Sequence, residues 1–414
     1  MLKFNKFVIK GSFILLIVFN IYSLFNFVFQ SSMARLLSVE EYGILSALFY
    51  FIYLSSVFSE TIQTIIGKYS AKESDKEKLK KTLETLFKKV FLIMLIFFFI
   101  YLILVYPIYN IFKINYVLLL LNGLVLLPLF PLAFVRGIMQ GKKRFFQLGL
   151  SLLADTGMKL VFSILLILIG FGIFGAIGGL IVAFSLSLIL SFFLVRDVFS
   201  FKIEKGKRIN LNFSKHTYNI FAVMLSIFVF FSVDLLIAQR VFDKTGAGYY
   251  SILSIIAKII FWGTNPISKA MFPYSILKEE KQEERKGAYG SALFLLLLCI
   301  AFGLGFILLF PNLIIKIFSG KTIENGGKIL FLLSLGNSFL AIANLNIIYA
   351  ISQEKIKLPY LLSVVTLINI ILLFYLNETM ILFSLSFLIG SITFLISSFL
   401  IKRDEKTVYS NSRT

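Results

Sequence analysis

Long apolar runs, each close to the length of a bilayer-spanning helix, recur along this chain and constrain its fold more than any other feature. They occupy roughly 11–34, 43–67, 90–112, 116–139, 146–170, 173–195, 217–239, 248–272, 287–310, 327–351, 359–375 and 379–401. A spanning helix needs about 20 apolar residues. Hydrocarbon offers no partner to a backbone N–H or C=O, so such runs must close their hydrogen bonds internally as helices. The expected fold class is therefore an all-α polytopic membrane protein of about twelve transmembrane helices. Hydrophobic residues make up 58% of the 414, against roughly 45–50% in soluble domains, which leaves almost no room for a soluble domain. The first run follows Lys3, Lys6 and Lys10, as a signal peptide would. Gly11 to Ala34 is too long for a signal core and lacks a small-residue cleavage pattern, so a retained first helix is expected. The single Cys299 lies inside an apolar run, which argues against a disulfide framework or a cysteine metal cluster.

Positive charge is confined to one set of connections. Alternate loops, counted together with both termini, carry thirty Lys and Arg, whereas the opposite set carries seven: Arg35, Lys113, Arg240, Lys244, Lys316, Lys321 and Lys328. By the positive-inside rule this places both termini in the cytoplasm, with the protein in the cytoplasmic membrane. The net charge of +20 is then a topology signal first and an attraction to anionic membrane lipids second. No nucleic-acid partner is required. The richest connections, Lys68 to Lys89 and Arg196 to His216, are expected to form surface helices or loops. In the first, Lys72, Lys76, Lys80, Glu77 and Glu84 stand at helical spacings that suit an amphipathic interfacial segment. The connections on the opposite side are short, and even Pro311 to Gly326 cannot hold a catalytic domain.

An internal repeat accompanies this pattern. At an offset of 205 residues Arg35, Gly43, Ser46 and Leu48 fall on Arg240, Gly248, Ser251 and Leu253. Ile62, Tyr69, Ser70, Lys76 and Lys81 fall on Ile267, Tyr274, Ser275, Lys281 and Lys286. The offset spans six helices, an even number, so the halves are expected to be parallel repeats. This predicts two six-helix bundles, 1–200 and 201–414, around a central cavity.

Several segments resemble polysaccharide-biosynthesis membrane proteins of the Wzx type, oligosaccharide flippases in the superfamily that also holds MATE drug exporters and the peptidoglycan-precursor flippase. They are Ala34-Arg-Leu-Leu-Ser-Val-Glu-Glu-Tyr-Gly43, Arg136-Gly-Ile-Met-Gln-Gly141, Ser232-Val-Asp-Leu-Leu-Ile-Ala-Gln-Arg240 and Met271-Phe-Pro-Tyr274. At Ser38-Val39 the chain departs from the expected Gly or Pro turn, and Ser also suits a turn. The resemblance implies a MATE-like fold and alternating-access transport of a polyprenyl-phosphate or -pyrophosphate oligosaccharide to the outer leaflet. It also implies a coupling ion, proton or sodium, and polysaccharide-assembly proteins as partners. No cofactor is expected, and no Gly-x-x-x-x-Gly-Lys-Ser/Thr loop for ATP occurs. The main alternative is a cation-coupled MATE drug exporter, many of which carry an acidic residue in the first helix. The first run here has none. A membrane enzyme of polysaccharide synthesis would need catalytic carboxylates or His in a water-facing loop, and the only His216 borders a cytoplasmic loop.

Ionisable residues inside spans are costly and mark functional candidates. Seven occur: Glu60, Arg136, Asp155, Lys159, Asp234, Lys258 and Lys269. Lys258 lies near mid-membrane and Lys269 three turns further on the same face, a cationic stripe suited to a pyrophosphate. Equally, Lys258 pairs with Asp234 and Lys269 snorkels to the interface. Asp155 and Lys159 are four residues apart, the spacing of a direct pair. Arg136 is either an interfacial anchor or the first contact for an incoming phosphate. Arg35 and Arg240 set helix ends or receive the phosphate outside. Glu60 accepts a structural hydrogen bond or holds a coupling ion. Ser334, Asn337, Ala341 and Asn344 form one polar stripe, and Asn20, Asn26 and Gln30 recur along the first run; such groups either hydrogen-bond neighbouring helices or line a wet cavity able to accommodate sugars.

Overall fold

The computed structural model describes residues 6–72, 76–199, 215–276, 282–353, 356 and 358–401. Its helices in chain order are α1 Lys6–Leu36, α2 Val39–Lys72, α3 Lys76–Phe112, α4 Tyr116–Leu124, α5 Leu126–Gly141, α6 Phe145–Leu166, α7 Gly172–Leu194 and α8 Arg196–Phe199. They continue as α9 Lys215–Val241, α10 Lys244–Ile276, α11 Gln282–Leu309, α12 Pro311–Ser319, α13 Gly326–Ser352, α14 Pro359–Tyr375 and α15 Met380–Leu400. Each of the twelve apolar runs finds its helix. Among the described residues nine helical stretches are long and apolar enough to cross a membrane, with Phe145–Leu194 counted as one. That stretch is a hairpin. Gly170 (φ 104°) and Gly172 (φ 50°) take left-handed geometry that a side chain would resist. Its arms close where the Ser163 hydroxyl donates to the Ala176 carbonyl at 3.0 Å.

Local chemistry accounts for the departures from the expected runs. The fourth run is broken at Val125 into α4 and α5, because Pro128 lacks the N–H that would bond the Leu124 carbonyl. Pro311 to Gly326 is partly helical. Proline opens α12 and Gly320 closes it at φ 70°, the usual asymmetry of helix ends. In the Lys68–Lys89 connection, α2 runs on to Lys72 and α3 starts at Lys76, so the polar segment is mostly an extension of the two spans, not a separate surface helix. Lys80 and Glu84 stand 3.9 Å apart on it. Residues 73–75 of this connection, and 200–214 of the Arg196–His216 connection, lie outside the described residues. Ser38 is a cap: its hydroxyl accepts from Glu41 N, and Glu41 Oε2 accepts from Ser38 N, a reciprocal capping box.

The chain divides into two compact units, Met1–Asn212 with Phe242–Gly248, and Phe213–Val241 with Tyr249–Thr414. Within each, the same pairings recur. In the first, α1 packs on α6, α5 on α7, and α6 on α7. In the second, α9 packs on α14, α13 on α15, and α14 on α15. Element ends repeat as well: α1 and α9 end at Leu36 and Val241, and α2 and α10 begin at Val39 and Lys244. Both intervals equal the offset seen in the sequence. Small residues let helices approach in the first unit. A side chain at Gly141 would collide with the Gly67 carbonyl and Ser70 on α2, as expected of small-residue contacts between membrane helices.

Candidate functional site

Each unit buries a cluster of ionisable groups, and each is built on a helix that repeats polar residues every four positions. In the first unit the ladder is Ser151, Asp155 and Lys159 on α6, which share one face. Arg136 reaches it from α5. Its Nε donates to Ser151 Oγ at 2.8 Å. Its Nη2 donates to the Ser151 carbonyl at 2.8 Å and to Asp155 Oδ2 at 2.6 Å. From α7, Ser187 donates to the same carbonyl and Ser191 shares a hydrogen bond with Ser151 Oγ. Arg136, Asp155 and Lys159 are all buried.

Asp155 therefore pairs with Arg136, and its expected partner Lys159 turns elsewhere. The planar guanidinium can engage serine and carboxylate together, whereas Lys159 reaches α1. Lys159 Nζ donates to Asn26 Oδ1 at 2.5 Å and sits 4.6 Å from the centre of the Phe29 ring. Asn26 is oriented in turn by donating to the Tyr22 carbonyl at 2.9 Å. An ammonium has three donors. Among the described residues Lys159 meets one acceptor, so this cation retains unused donors.

The second unit inverts the arrangement. Its ladder is Tyr250, Ser254 and Lys258 on α10, and the group arriving from the neighbouring helix is the Asp234 carboxylate of α9. Lys258 Nζ donates to both carboxylate oxygens, at 2.8 and 3.1 Å, and to Ser254 Oγ at 2.9 Å. Ser254 and Tyr250 donate to Asp234 Oδ2 at 2.6 and 3.0 Å. The Phe231 ring lies 5.3 Å from Nζ. Asp234 is fully buried and Lys258 is 2% exposed. This is a closed, neutral and fully bonded cluster, the paired arrangement of the two expected for Lys258.

The other candidates are separate from these clusters. Glu60, Lys269, Arg35 and Arg240 are exposed on their helices. Asn344 is buried and donates to Asn265 Oδ1 at 3.2 Å, tying α13 to α10. Asn337 is buried and donates to the Leu333 carbonyl, while its Oδ1 has no partner among the described residues. Sequence reasoning missed Ser151, Tyr250 and Ser254, and it singled out Asn26 without naming Lys159 as its partner. The first three were findable as members of four-residue ladders that contain an ionised residue. Outside the spans a further pair joins Arg144 to Asp197 through both guanidinium arms. The hydrogen bond from Arg144 holds the Asp197 carboxyl below its ordinary value.

The architecture is that of a known class of multi-pass membrane transporters. An inward-facing multidrug-resistance MATE transporter of the MOP superfamily aligns with TM-score 0.71 at 12% identity, over 92% of this chain and 93% of that one. The lipid II flippase MurJ in an inward closed conformation gives 0.67 at 18% identity, over 93% and 87%. A MOP-superfamily transporter from Pyrococcus furiosus, described by the reversed polarity of its binding pocket, gives 0.59 at 15% identity, over 94% and 92%. No curated protein sequence gives a significant match. Residues 8–277 match the family model described as polysaccharide biosynthesis protein. The chain belongs to that family.

Proposed function

We propose that this protein is a flippase that moves a polyprenyl-phosphate- or pyrophosphate-linked oligosaccharide from the inner to the outer leaflet of the cytoplasmic membrane, for surface polysaccharide synthesis. The observation that carries the reading is the charge balance of the buried cluster in the first unit, from which the exposed Glu60 of α2 stands apart. Arg136 and Lys159 stand against Asp155 alone, and Lys159 keeps donors unused. A buried cation with free donors suits a phosphate oxygen. Lys159 is therefore the group assigned to the phosphate, with Arg136 fixing Asp155 beside it. Lys258, bonded throughout to Asp234 and Ser254, holds the second unit together. Lys269, exposed on the face read as cytoplasmic, and Arg35 and Arg240 at the opposite helix ends are secondary phosphate contacts. The thirty-to-seven basic asymmetry supports cytoplasmic termini. A cationic-drug exporter fits less well, since the first helix has no carboxylate and the first-unit cluster is net positive.

The test is reconstitution in proteoliposomes with a fluorescent polyprenyl-diphosphate oligosaccharide, and with a lipophilic cation as the competing cargo. Transport of the glycolipid that falls at least about tenfold in Lys159→Gln and persists in Lys159→Arg supports the reading. Movement of the lipophilic cation alone would replace it with the exporter.

A further inference from the structure

We infer that one accessible face of α1 and α2 in the first unit is a carbohydrate-binding surface, on which the sugar next to the phosphate is read. The inference rests on the flippase reading and adds to it a polar face that meets the charged cluster at Asn26.

On α1, Asn20, Ser23, Asn26 and Gln30 fall within about 120° of arc at ~100° per residue. On α2, Tyr53, Ser56, Glu60, Gln63 and Thr64 fall within about 100° by the same rule. All nine stay at least partly accessible; among apolar neighbours Phe29, Met33 and Phe49 are sealed, while Leu24 and Phe27 on α1 are exposed beside the polar groups. The two faces join through Gln30, which accepts from the Tyr42 hydroxyl at 3.3 Å and also hydrogen-bonds Tyr53. Ser56 and Thr64 donate to the Tyr53 and Glu60 carbonyls of their own helix, and Gln63 donates to Gln140 on α5; hydrocarbon offers nothing to the polar atoms left over, and a carboxylate facing it is costlier still. Yet the Glu60 carboxylate has no protein partner among the described residues. A face like this belongs against water or a polar ligand.

The chemistry on it is that of a hydroxyl-rich ligand. Amides and a carboxylate bond adjacent hydroxyls, the carboxylate as acceptor only and the amides as donor and acceptor. A tyrosine ring supplies an apolar plate with a polar tip, suited to the C–H face of a pyranose, and Tyr53 already stacks on Phe49 on one side. Asn26 links this face directly to Lys159, so a phosphate at Lys159 brings the attached sugar to the amide and tyrosine groups. Two thirds of the α2 span is buried, and at 1.5 its hydropathy is below that of Lys78–Phe112, Tyr116–Gly141 and Phe145–Leu194.

The decisive measurement compares binding of two lipids to the purified protein in nanodiscs: bare polyprenyl phosphate, and the same lipid carrying an oligosaccharide. Tyr53→Leu and Glu60→Ala should each weaken the glycosylated lipid about tenfold and leave the bare lipid unchanged, whereas Lys159→Gln weakens both. Glu60 is exposed, so Glu60→Ala folds even where Tyr53→Leu does not, and it decides the matter alone. Equal loss for both lipids, or no loss for either, overturns the sugar site. So does a change confined to binding of a lipophilic cation such as tetraphenylphosphonium. Wild-type protein that binds neither lipid overturns the flippase reading and this site with it.

Discussion

The two units share their helices but not their chemistry. The first carries its buried ions on α5 and α6, the second on α9 and α10, which stand at the positions of α1 and α2 in the repeat. Subtracting the 205-residue offset, which holds for α1 with α9 and α2 with α10, from Asp234 and Lys258 gives Phe29 and Tyr53, neither of them charged. Duplication thus preserved what lipid demands, the spans and their pairings, and left the interior free to diverge. The second unit ends with one carboxylate and one ammonium, mutually satisfied and sealed. The first ends with two buried cations, one buried carboxylate and an accessible polar face that carries Glu60. The closed cluster reads as structure and the open one as a place for an anion.

The largest effect expected from this contrast is in the sealed cluster. Asp234→Ala leaves Lys258 buried without its counter-ion, at a cost of about 3–5 kcal/mol, visible as loss of folded protein in detergent-based thermal unfolding. The double change Asp234→Leu with Lys258→Met should recover most of that loss, because an apolar pair of similar volume replaces the ions. Asp155→Ala should cost less, about 2 kcal/mol, since Arg136 keeps both bonds to Ser151. Equal losses for the two aspartates would erase the distinction between closed and open clusters.

A smaller effect compares the helix caps at equivalent positions. Ser38 caps α2, and Asp243, at the same place in the repeat, accepts from Gly246 N at 3.2 Å before α10. Ser38→Ala and Asp243→Ala should each lower stability by about 1 kcal/mol. Glu41 also accepts from Ile173 N at the start of α7, a second role with no counterpart at the start of α10, where Gly246 stands at the equivalent place. Glu41→Gln should therefore cost more than Ser38→Ala. Thermal unfolding of the three variants decides it, and identical values would deny Glu41 its second role.

What could be read from the sequence follows from which forces act locally. Spans were legible because hydrocarbon sets their length, and the α6–α7 reversal because Gly170 and Gly172 mark it. The short α12 was missed although Pro311 and Gly320 punctuate it, because a nine-residue helix leaves no spanning signal. In the site, spacing alone placed Asp155 with Lys159. It could not reveal that Arg136 arrives from another helix and takes the carboxylate, since that depends on how α5 lies against α6. The Asp234–Lys258 pair stood among the alternatives for the same reason: no local rule separates a cation facing a cavity from one facing a carboxylate on the next helix.

The smallest expected effect concerns the ion pair that lies outside the spans. Arg144 and Asp197 meet near the surface, with the Asp197 side chain 60% exposed, where water and salt screen the attraction. Their coupling in a double-mutant cycle should fall within about 0–1 kcal/mol. The sign of its pH dependence is fixed by the depressed carboxyl of Asp197. The contribution is fully present above the unfolded value, about 3.9 for an aspartate, and is lost as pH falls through the lower folded value. Wild-type protein should therefore lose this increment only below about pH 4, and Asp197→Asn should remove it at every pH. Stability measured from pH 6 downward at low and at 1 M salt provides the check. A coupling that survives high salt, or exceeds that of the buried pairs, would place the anchoring of α8 by Arg144 above the interior clusters and overturn the ranking of buried over exposed charge.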